Sequence, residues 1–281
     1  APPPGSDFLL VWQQASANPN PDIFGQRVDS QGQASGPQIT VTAHPAAQER
    51  PALAAGNAGY LLTWQDWRSG GSSDIYGQRL DTSGALTGPV VTITTASGDQ
   101  LEPALAFDNS RDEYLVLWQD FRNGGNPDIY GQIVRSNGTL GATVDLSGLT
   151  ASTQRRVAVV YNPDQDQYLA VWEDFRASPS AADIYGQVIS PDGALVGSDF
   201  AIAATDDEDF PAVAYDSTTG VYLVVWEDER NGNDDIYGQL LDSTAALTGN
   251  NFALATAGND QEEPQVVALG SGEFLVTWHD K

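Results

Sequence analysis

An arginine and two aspartates recur along the chain in the same order, so they could do either structural or binding chemistry. In each copy an Asp lies two residues after a tryptophan, an Arg follows two residues later, and a second Asp opens the next segment. A planar guanidinium can pair bidentately with carboxylates, so each arginine is expected to lie between the two aspartates. An anion site at each arginine is the alternative, but repetition in every complete copy favours the structural role. The residues are Asp66, Arg68, Asp74, Asp120, Arg122, Asp128, Asp174, Arg176, Asp183, Asp228, Arg230 and Asp235.

The residue after the first Asp varies between copies and is the best candidate for ligand binding. It is Trp67, Phe121 and Phe175, and then Glu229 in the fourth copy. Aromatic side chains at a loop tip could stack on sugar rings, as in a lectin, or pack on the tyrosine of the following strand. Amides on the same face, three residues before a repeated proline or its equivalent, could form a ring beside them. They are Gln48, Gln100, Gln154 and Gln261, with Glu208 in the fourth copy.

Catalytic constellations are scarce. Glycoside hydrolysis needs two carboxyl groups in different environments, and the carboxylates here lie at repeated positions with no copy that singles out a pair. Only His44 and His279 are available as histidines, cysteine is absent, and no phosphate-binding glycine loop occurs. The sequence therefore predicts a protein that is not an enzyme and that has no cofactor. Calcium stays open, because residues 108–112, 162–166 and 206–209 cluster oxygen ligands without the spacing of a complete calcium loop.

Charge and composition exclude several partners. With 38 acidic and 12 basic residues the net charge is −26, which repels nucleic acid and anionic membranes. No run reaches the roughly 18 apolar residues of a membrane helix. The chain has no methionine, even at position 1, so we predict an exported protein whose signal has been removed, located outside the cell or at its surface.

These residues belong to a repeat of about 53 residues. Segments of the type YLVVW end at Trp64, Trp118, Trp172 and Trp226, and each is followed by a DIYGQ segment. Each repeat contains four strand-like segments and no helical pattern, which predicts an all-β, five-bladed β-propeller of four-stranded antiparallel blades. Residues 1–281 are predicted to be one propeller domain, with residues 1–6 as a proline-rich extended lead-in. The W-x-D-x-R and D-I-Y-G-Q repeats resemble those of bacterial secreted β-propellers, and this resemblance implies a fold and an export route but no catalytic residues.

The strand count suggests assembly. Six YLVVW-type strands occur against five of every other type, so joining the two chain ends into one blade leaves a surplus strand. That strand could fray at an edge of a closed monomer, or it could complete a blade of a neighbouring molecule. The candidate exchange residues are Phe8, Leu9, Leu10, Val11 and Trp12 near the start, and Phe274, Leu275, Val276 and Trp278 near the end.

The leading hypothesis is therefore a non-enzymatic extracellular structural or interaction module that assembles into oligomers or filaments by strand exchange. Its expected partners are copies of itself or a glycan, without nucleic acid or membrane insertion. A glycan-binding lectin is the alternative, and a five-bladed glycosidase is the second alternative.

Overall fold

Every regular element is a β-strand. The computed structural model describes residues 7–15, 20–146 and 152–281, and no helix occurs in these ranges. The proline-rich lead-in at residues 1–6 lies outside the described residues. The strands are β1 Phe8–Ala15, β2 Pro21–Val28, β3 Ala34–Thr40, β4 Gln48–Gly56, β5 Gly59–Asp66, β6 Asp74–Asp81, β7 Leu86–Thr94, β8 Gln100–Asp108, β9 Glu113–Asp120, β10 Asp128–Arg135, β11 Leu140–Asp145, β12 Gln154–Asn162, β13 Gln167–Asp174, β14 Asp183–Ile189, β15 Leu195–Ala203, β16 Glu208–Asp216, β17 Val221–Asp228, β18 Asp235–Asp242, β19 Leu247–Ala255, β20 Gln261–Gly270 and β21 Glu273–Asp280.

The strands form sheets in chain order, which confirms the predicted antiparallel four-stranded unit. Four sheets are complete: β4–β7, β8–β11, β12–β15 and β16–β19. The strands β1–β3 form a three-stranded sheet and β20–β21 a two-stranded one. Among the described residues, β1–β3 and β20–β21 are separate hydrogen-bonded sheets. The strand pairing therefore does not include the predicted closure of one blade by both chain ends.

The chain divides into two compact units. The first comprises residues 1–124 and 132–141, and the second comprises residues 125–131 and 142–281. The second strand of each complete sheet lies at the centre of the packing, as its doubly apolar sequence predicts. Its tryptophan is buried in every copy, and the tryptophan ring nitrogen donates a hydrogen bond to the Asp two residues later. These bonds join Trp64 to Asp66, Trp118 to Asp120, Trp172 to Asp174 and Trp226 to Asp228, at 2.7–3.0 Å.

A β-bulge interrupts the first strand of each inner hairpin. The register shifts three residues into the strand, and the residue inside the shift has a φ of 51–52°. The five bulge residues are Arg50, Glu102, Arg156, Phe210 and Glu263. None is glycine, so each copy holds a side-chain-bearing residue in the left-handed region at a cost of about 1–2 kcal/mol.

The residue just before each bulge lies opposite the residue that follows the tryptophan on the neighbouring strand. We call these two residues the bulge pair. The five bulge pairs are Glu49–Gln65, Leu101–Gln119, Arg155–Glu173, Asp209–Glu227 and Glu262–His279. The backbone is the same in each copy, whereas the chemistry of the pair changes from copy to copy.

The glutamine of the DIYGQ segment supports a second bulge at the outer edge of each sheet. The Gln78 amide, for example, donates to the carbonyls of Arg79 and Thr87, where the register between β6 and β7 shifts. Gln239 makes the same bonds to Leu240 and Thr248 in the second unit. The sequence repeats this glutamine, and the structure shows that it satisfies the carbonyls that the bulge leaves unpaired.

The first and last strands each have one packed face and one exposed face. Leu9 and Val11 pack against the core around Leu62 and Trp64, while Phe8 and Leu10 are exposed. Phe274 and Val276 pack against Leu223 and Val225, while Leu275 and Trp278 are exposed. Trp12 stacks on Phe24 with ring centroids 6.4 Å apart. Strand exchange through these residues stays a prediction.

Candidate active site

The side chains of Gln65, Glu173 and Glu227, second members of three bulge pairs, reach the backbone of the next sheet, and so does that of Gln13, which follows Trp12 in the same way. In the first unit the Gln13 carbonyl oxygen accepts from the backbone N–H of Arg50 at 2.6 Å, and the Gln65 oxygen accepts from Glu102 at 3.2 Å. In the second unit the same contact is made by a carboxylate. Glu173 accepts from the backbone N–H of Phe210 at 2.8 Å, and Glu227 accepts from that of Glu263 at 2.5 Å. Each contact satisfies the N–H of a left-handed bulge residue.

Glu173 is the member of the site that two arginines surround. It is fully buried. The Arg155 Nε donates to Oε2 at 2.5 Å, and the Arg156 Nη1 donates to Oε1 at 2.9 Å. Two guanidinium groups and one backbone N–H thus contact a single buried carboxyl group. The arginines are held in turn by aromatic rings, with Arg155 4.6 Å from the Phe175 centroid and Arg156 3.7 Å from the Phe210 centroid.

Asp209 lies beside Glu173. Burial, the charge of Glu173 and a hydrogen bond with it raise the pKa of Asp209 to about 6, against the opposing effect of Arg156 and Arg155. Its Oδ1 lies 3.5 Å from Arg155 and 3.6 Å from Arg156. The Asp209 side chain is 28% exposed, so a ligand can reach this carboxyl group.

Glu227 lies opposite Asp209 in the bulge pair and is protonated more readily than Asp209. Burial and the charges of Asp234, Asp209 and Glu262 raise its pKa to about 7, while the hydrogen bond from Glu263 opposes the shift. No arginine of the described residues forms an ion pair with it. The second unit thus holds three neighbouring carboxyl groups in three environments.

This arrangement corrects one sequence-based conclusion. We expected that no copy of the repeat would single out a pair of carboxylates, and this was wrong. The residue after the tryptophan is Gln13, Gln65 and Gln119 in three copies, Glu173 and Glu227 in two, and His279 in the last. The position of Asp209 holds Glu49, Leu101, Arg155 and Glu262 in the other copies, so the copy with Asp209 and Glu227 is the one that has a carboxyl group at both positions of the bulge pair. Two neighbouring carboxyl groups in different environments are what acid–base chemistry at a glycosidic bond requires.

The repeated Asp–Arg groups are structural in their contacts. Arg68 and Arg122 each pair with the first Asp of their copy at 2.6 Å, Arg176 pairs at 2.5 Å, and Arg230 pairs with Asp228. The expected position between two aspartates needs correction, because the other side of the guanidinium stacks on the tyrosine of the next strand. The Arg68, Arg176 and Arg230 guanidiniums lie 3.8–4.2 Å from the centroids of Tyr76, Tyr185 and Tyr237.

The second aspartates are buried at the start of the third strand. Asp235, for example, accepts from the side-chain amide of Asn231 at 2.6 Å. Burial raises the pKa of Asp74 and of Asp183. Asp128 is buried at the start of β10.

The predicted loop-face residues are placed in two different ways. Trp67, Phe121 and Phe175 are partly exposed, and the Trp67 indole nitrogen donates to Glu49 at 3.1 Å. The amides Gln48, Gln100, Gln154 and Gln261 are buried and bond to their own loop or sheet. Gln100 donates to the carbonyl of Gly98 at 2.8 Å and Gln154 to Asp174 at 3.0 Å. Their burial leaves no exposed amide ring for a ligand.

The acidic turns considered for calcium use many of their oxygens within the protein. Asp108 accepts from the backbone of Ser110 at 2.7 Å, and Asn162 accepts from that of Asp164 at 2.8 Å. Tyr161 donates to Asp166 at 2.7 Å. A different trio, Asp234, Asp260 and Glu262, has carboxylate oxygens within 4.8 Å of one another, and Lys281 contacts Glu262 at 2.6 Å.

Comparisons with known proteins identify a fold. No protein-family profile and no curated protein sequence matches the chain. Among solved structures, a nidogen–laminin complex aligns with a TM-score of 0.54 at 16% identity, covering 98% of this chain and 86% of that one. A thermostable family-43 glycoside hydrolase aligns at 0.52 and 12%, covering 84% of both chains. The endo-arabinase of Bacteroides thetaiotaomicron aligns at 0.51 and 15%, covering 91% of this chain and 95% of that one.

These similarities, together with the sheets described above, confirm the β-propeller class. The bacterial secreted repeat resemblance is supported at the level of the fold alone. No helix in the described ranges is long and apolar enough to cross a membrane.

The functional prediction is corrected. We expected a non-enzymatic structural module, and several propellers of similar fold are instead glycoside hydrolases, including a β-1,3-galactosidase and an arabinofuranosidase. These propellers are 8–12% identical to this chain, so what they share with it is the fold.

Proposed function

We propose that this protein hydrolyses a glycosidic bond at the carboxyl cluster of its second unit. Glu227 is the general acid that protonates the leaving oxygen, because its pKa of about 7 keeps it protonated in mildly acidic solution. Asp209 is the general base or nucleophile, because it is ionised above about pH 6 and is the most exposed of the three carboxyl groups. The contrast between these two members of one bulge pair is the observation that carries the proposal.

Glu173 is a positioning residue in this proposal. It pairs with Arg155 and Arg156 and accepts a hydrogen bond from the backbone N–H of Phe210. It also raises the pKa of Asp209 through its charge. The exposed edges of Phe175 and Phe210 border the same cluster and offer apolar surface for the face of a sugar ring. An extracellular polysaccharide is the substrate class that the fold neighbours and the acidic, cysteine-free composition support.

The test is an assay of hydrolysis on a panel of aryl glycosides and plant polysaccharides. Hydrolysis is measured as the release of the phenol from the aryl glycosides and of new reducing ends from the polysaccharides. We include α-arabinofuranosides, β-xylosides and β-galactosides. The wild type is expected to turn over at least one of these substrates. Glu227→Gln and Asp209→Asn should each lower kcat/KM by about 10²–10⁴-fold, the usual contribution of an acid or base.

Glu49→Gln is the matched control, because Glu49 occupies the Asp209 position in the first unit. It should leave kcat/KM within twofold of the wild type. No turnover across the panel would contradict the proposal, and so would turnover that survives both active-site changes. Saturable binding without turnover, lost in Trp67→Ala, would instead support the lectin alternative.

A further inference from the structure

The inner hairpins differ in length, and the shortest complete one borders a pocket in the first unit. The turns β8–β9, β12–β13 and β16–β17 contain four residues each, whereas the β4–β5 turn contains only Asn57 and Ala58. A pocket of about 300 Å³ lies against this short turn, at the end of the strands away from the Trp67 loop. The β20–β21 turn, Ser271 and Gly272, is equally short, so two of the five inner hairpins depart from the four-residue turn.

The second unit shows what occupies the corresponding place when the hairpin is longer. Asn162, the last residue of β12, donates to the Tyr222 hydroxyl at 2.8 Å and to the Ser243 carbonyl at 2.9 Å. The equivalent of Asn162 in β4 is Gly56, which has no side chain to make this bridge. A Cβ at Gly56 would lie 2.1 Å from the Tyr114 hydroxyl oxygen, so the Tyr114 hydroxyl group occupies the space that a side chain at position 56 would need.

A second departure from the repeat converges on the same pocket. The residue after the DIYGQ segment is aliphatic in three copies, Ile133, Val188 and Leu240, and is an arginine in two, Arg27 and Arg79. Arg79 lines the pocket and donates through Nη1 to the Ser136 carbonyl at 3.1 Å. The Arg79 side chain is partly exposed, so its guanidinium group offers N–H donors to an oxygen of a bound ligand.

The other residues that line the pocket indicate which class of ligand it can bind. Tyr60 and Tyr114 supply aromatic surface, and Asp81 and Asp112 supply carboxylates. Asp112 accepts from the Ser136 hydroxyl at 2.5 Å and from the Asn57 amide at 3.2 Å. The two carboxylates repel an anion, whereas a neutral polyol offers hydroxyl donors to them and an oxygen acceptor to Arg79.

We propose that this pocket binds one neutral sugar residue, separately from the carboxyl cluster. Its volume lies at the lower end of small-molecule sites, which suits a single ring rather than an oligosaccharide. The inference does not depend on hydrolysis, because none of its residues belongs to the proposed active site.

Ligand-observed NMR and calorimetry with the methyl glycosides of arabinose, xylose, galactose and glucose test this site. The wild type should show saturable binding of at least one glycoside. Arg79→Leu, which copies Leu240, should weaken it at least tenfold. Arg27→Leu is the matched control, because Arg27 has the same repeat position and its guanidinium pairs instead with Asp7 at 2.8 Å. Binding to this control should be unchanged.

Two further variants keep the outcome interpretable. Asn137→Trp places a bulky ring at an exposed position of the pocket lining and should block binding even if Arg79→Leu folds poorly. Glu227→Gln should bind as tightly as the wild type. Absence of binding at millimolar glycoside, or equal affinity in Arg79→Leu and Arg27→Leu, would overturn the proposal. Binding lost in Glu227→Gln and retained in Arg79→Leu would assign the sugar to the carboxyl cluster and would also overturn it.

Discussion

The same repeated contact is built from an amide in one unit and from a carboxylate in the other. Gln65 satisfies the N–H of Glu102 in the first unit, and Glu173 and Glu227 satisfy those of Phe210 and Glu263 in the second. The amide and the carboxylate have nearly the same size and accept the same hydrogen bond, so the backbone is indifferent to the exchange. The carboxylate alone carries a charge whose free energy depends on its surroundings.

The two carboxylates of the second unit show how large that dependence is. Glu173 faces two guanidinium groups, whereas Glu227 faces further acidic residues and has a pKa of about 7. The repeat thus supplies a fixed hydrogen bond, and the neighbouring residues set the electrostatic surroundings of its acceptor. This is how a uniform scaffold can place chemically different groups at equivalent positions.

The largest effect on stability is expected when the carboxylate of the second unit is replaced by the amide that the first unit has. Glu173→Gln keeps the hydrogen-bond acceptor for the backbone N–H of Phe210, but it removes the carboxylate with which the partly buried Arg155 and Arg156 pair. Breaking a buried ion pair in this way costs about 3–5 kcal/mol, measured as the free energy of unfolding in urea. Glu273→Gln, the same change at an exposed position, should cost less than about 0.5 kcal/mol. Equal losses in the two variants would contradict the role assigned to Glu173.

The pH dependence of hydrolysis sharpens the comparison. With Asp209 acting ionised and Glu227 acting protonated, kcat/KM should be bell-shaped, with limbs near the pKa values of about 6 and about 7. Outside the limbs the rate should fall about tenfold for each pH unit. Glu173→Gln removes a charge that raises the pKa of Asp209, so the acidic limb should move to lower pH. A profile flat from pH 5 to 8 would exclude this pair as the acid and base.

A smaller effect is expected at Glu208, where the second unit again has a carboxyl group in place of an amide. Gln154 donates to Asp174 at 3.0 Å, and Glu208 lies opposite Asp228 at the equivalent position. Burial, together with the charge of Asp228, raises the pKa of Glu208, while hydrogen bonds from Thr205 and Asp206 oppose the shift. Its Oε2 is buried without a hydrogen-bond partner among the described residues.

Glu208→Gln should therefore stabilise the fold by about 1 kcal/mol at pH 8. A raised folded-state pKa favours folding below the unfolded pKa of about 4.3, and this contribution is lost as the pH rises through the folded pKa. The advantage of the variant should accordingly vanish near pH 4. Urea unfolding at both pH values measures it, and an advantage of equal size at pH 4 would show that charge is not the cause.

Much of the fold follows from the sequence, because burial and turn chemistry leave periodic signals. The doubly apolar Tyr222–Trp226 segment predicts a central strand, and the Asp two residues after each tryptophan predicts a structural polar contact. Of the two partners of Arg68, the sequence predicts Asp66 but not Tyr76, because the ring of Tyr76 lies on the next strand. Nothing local indicates a left-handed Phe210, since aromatic residues rarely adopt that conformation.

The candidate site was missed although a signal was present. The change from Gln13, Gln65 and Gln119 to Glu173 and Glu227 can be read by aligning the residue after each tryptophan. The effect of this change on acidity could not be predicted from the alignment, because the raised pKa of Glu227 depends on residues that the fold brings close to it, such as Asp234 and Glu262.

The bulge residues have a consequence for how this scaffold can change. Positions 50, 102, 156, 210 and 263 share one backbone conformation yet hold arginine, glutamate, arginine, phenylalanine and glutamate. The left-handed conformation is strained for every residue other than glycine, yet these positions accommodate charged and aromatic side chains alike. We therefore expect that the side chains at these five positions can be changed, and with them the groups available for ligand recognition, while the backbone keeps its conformation.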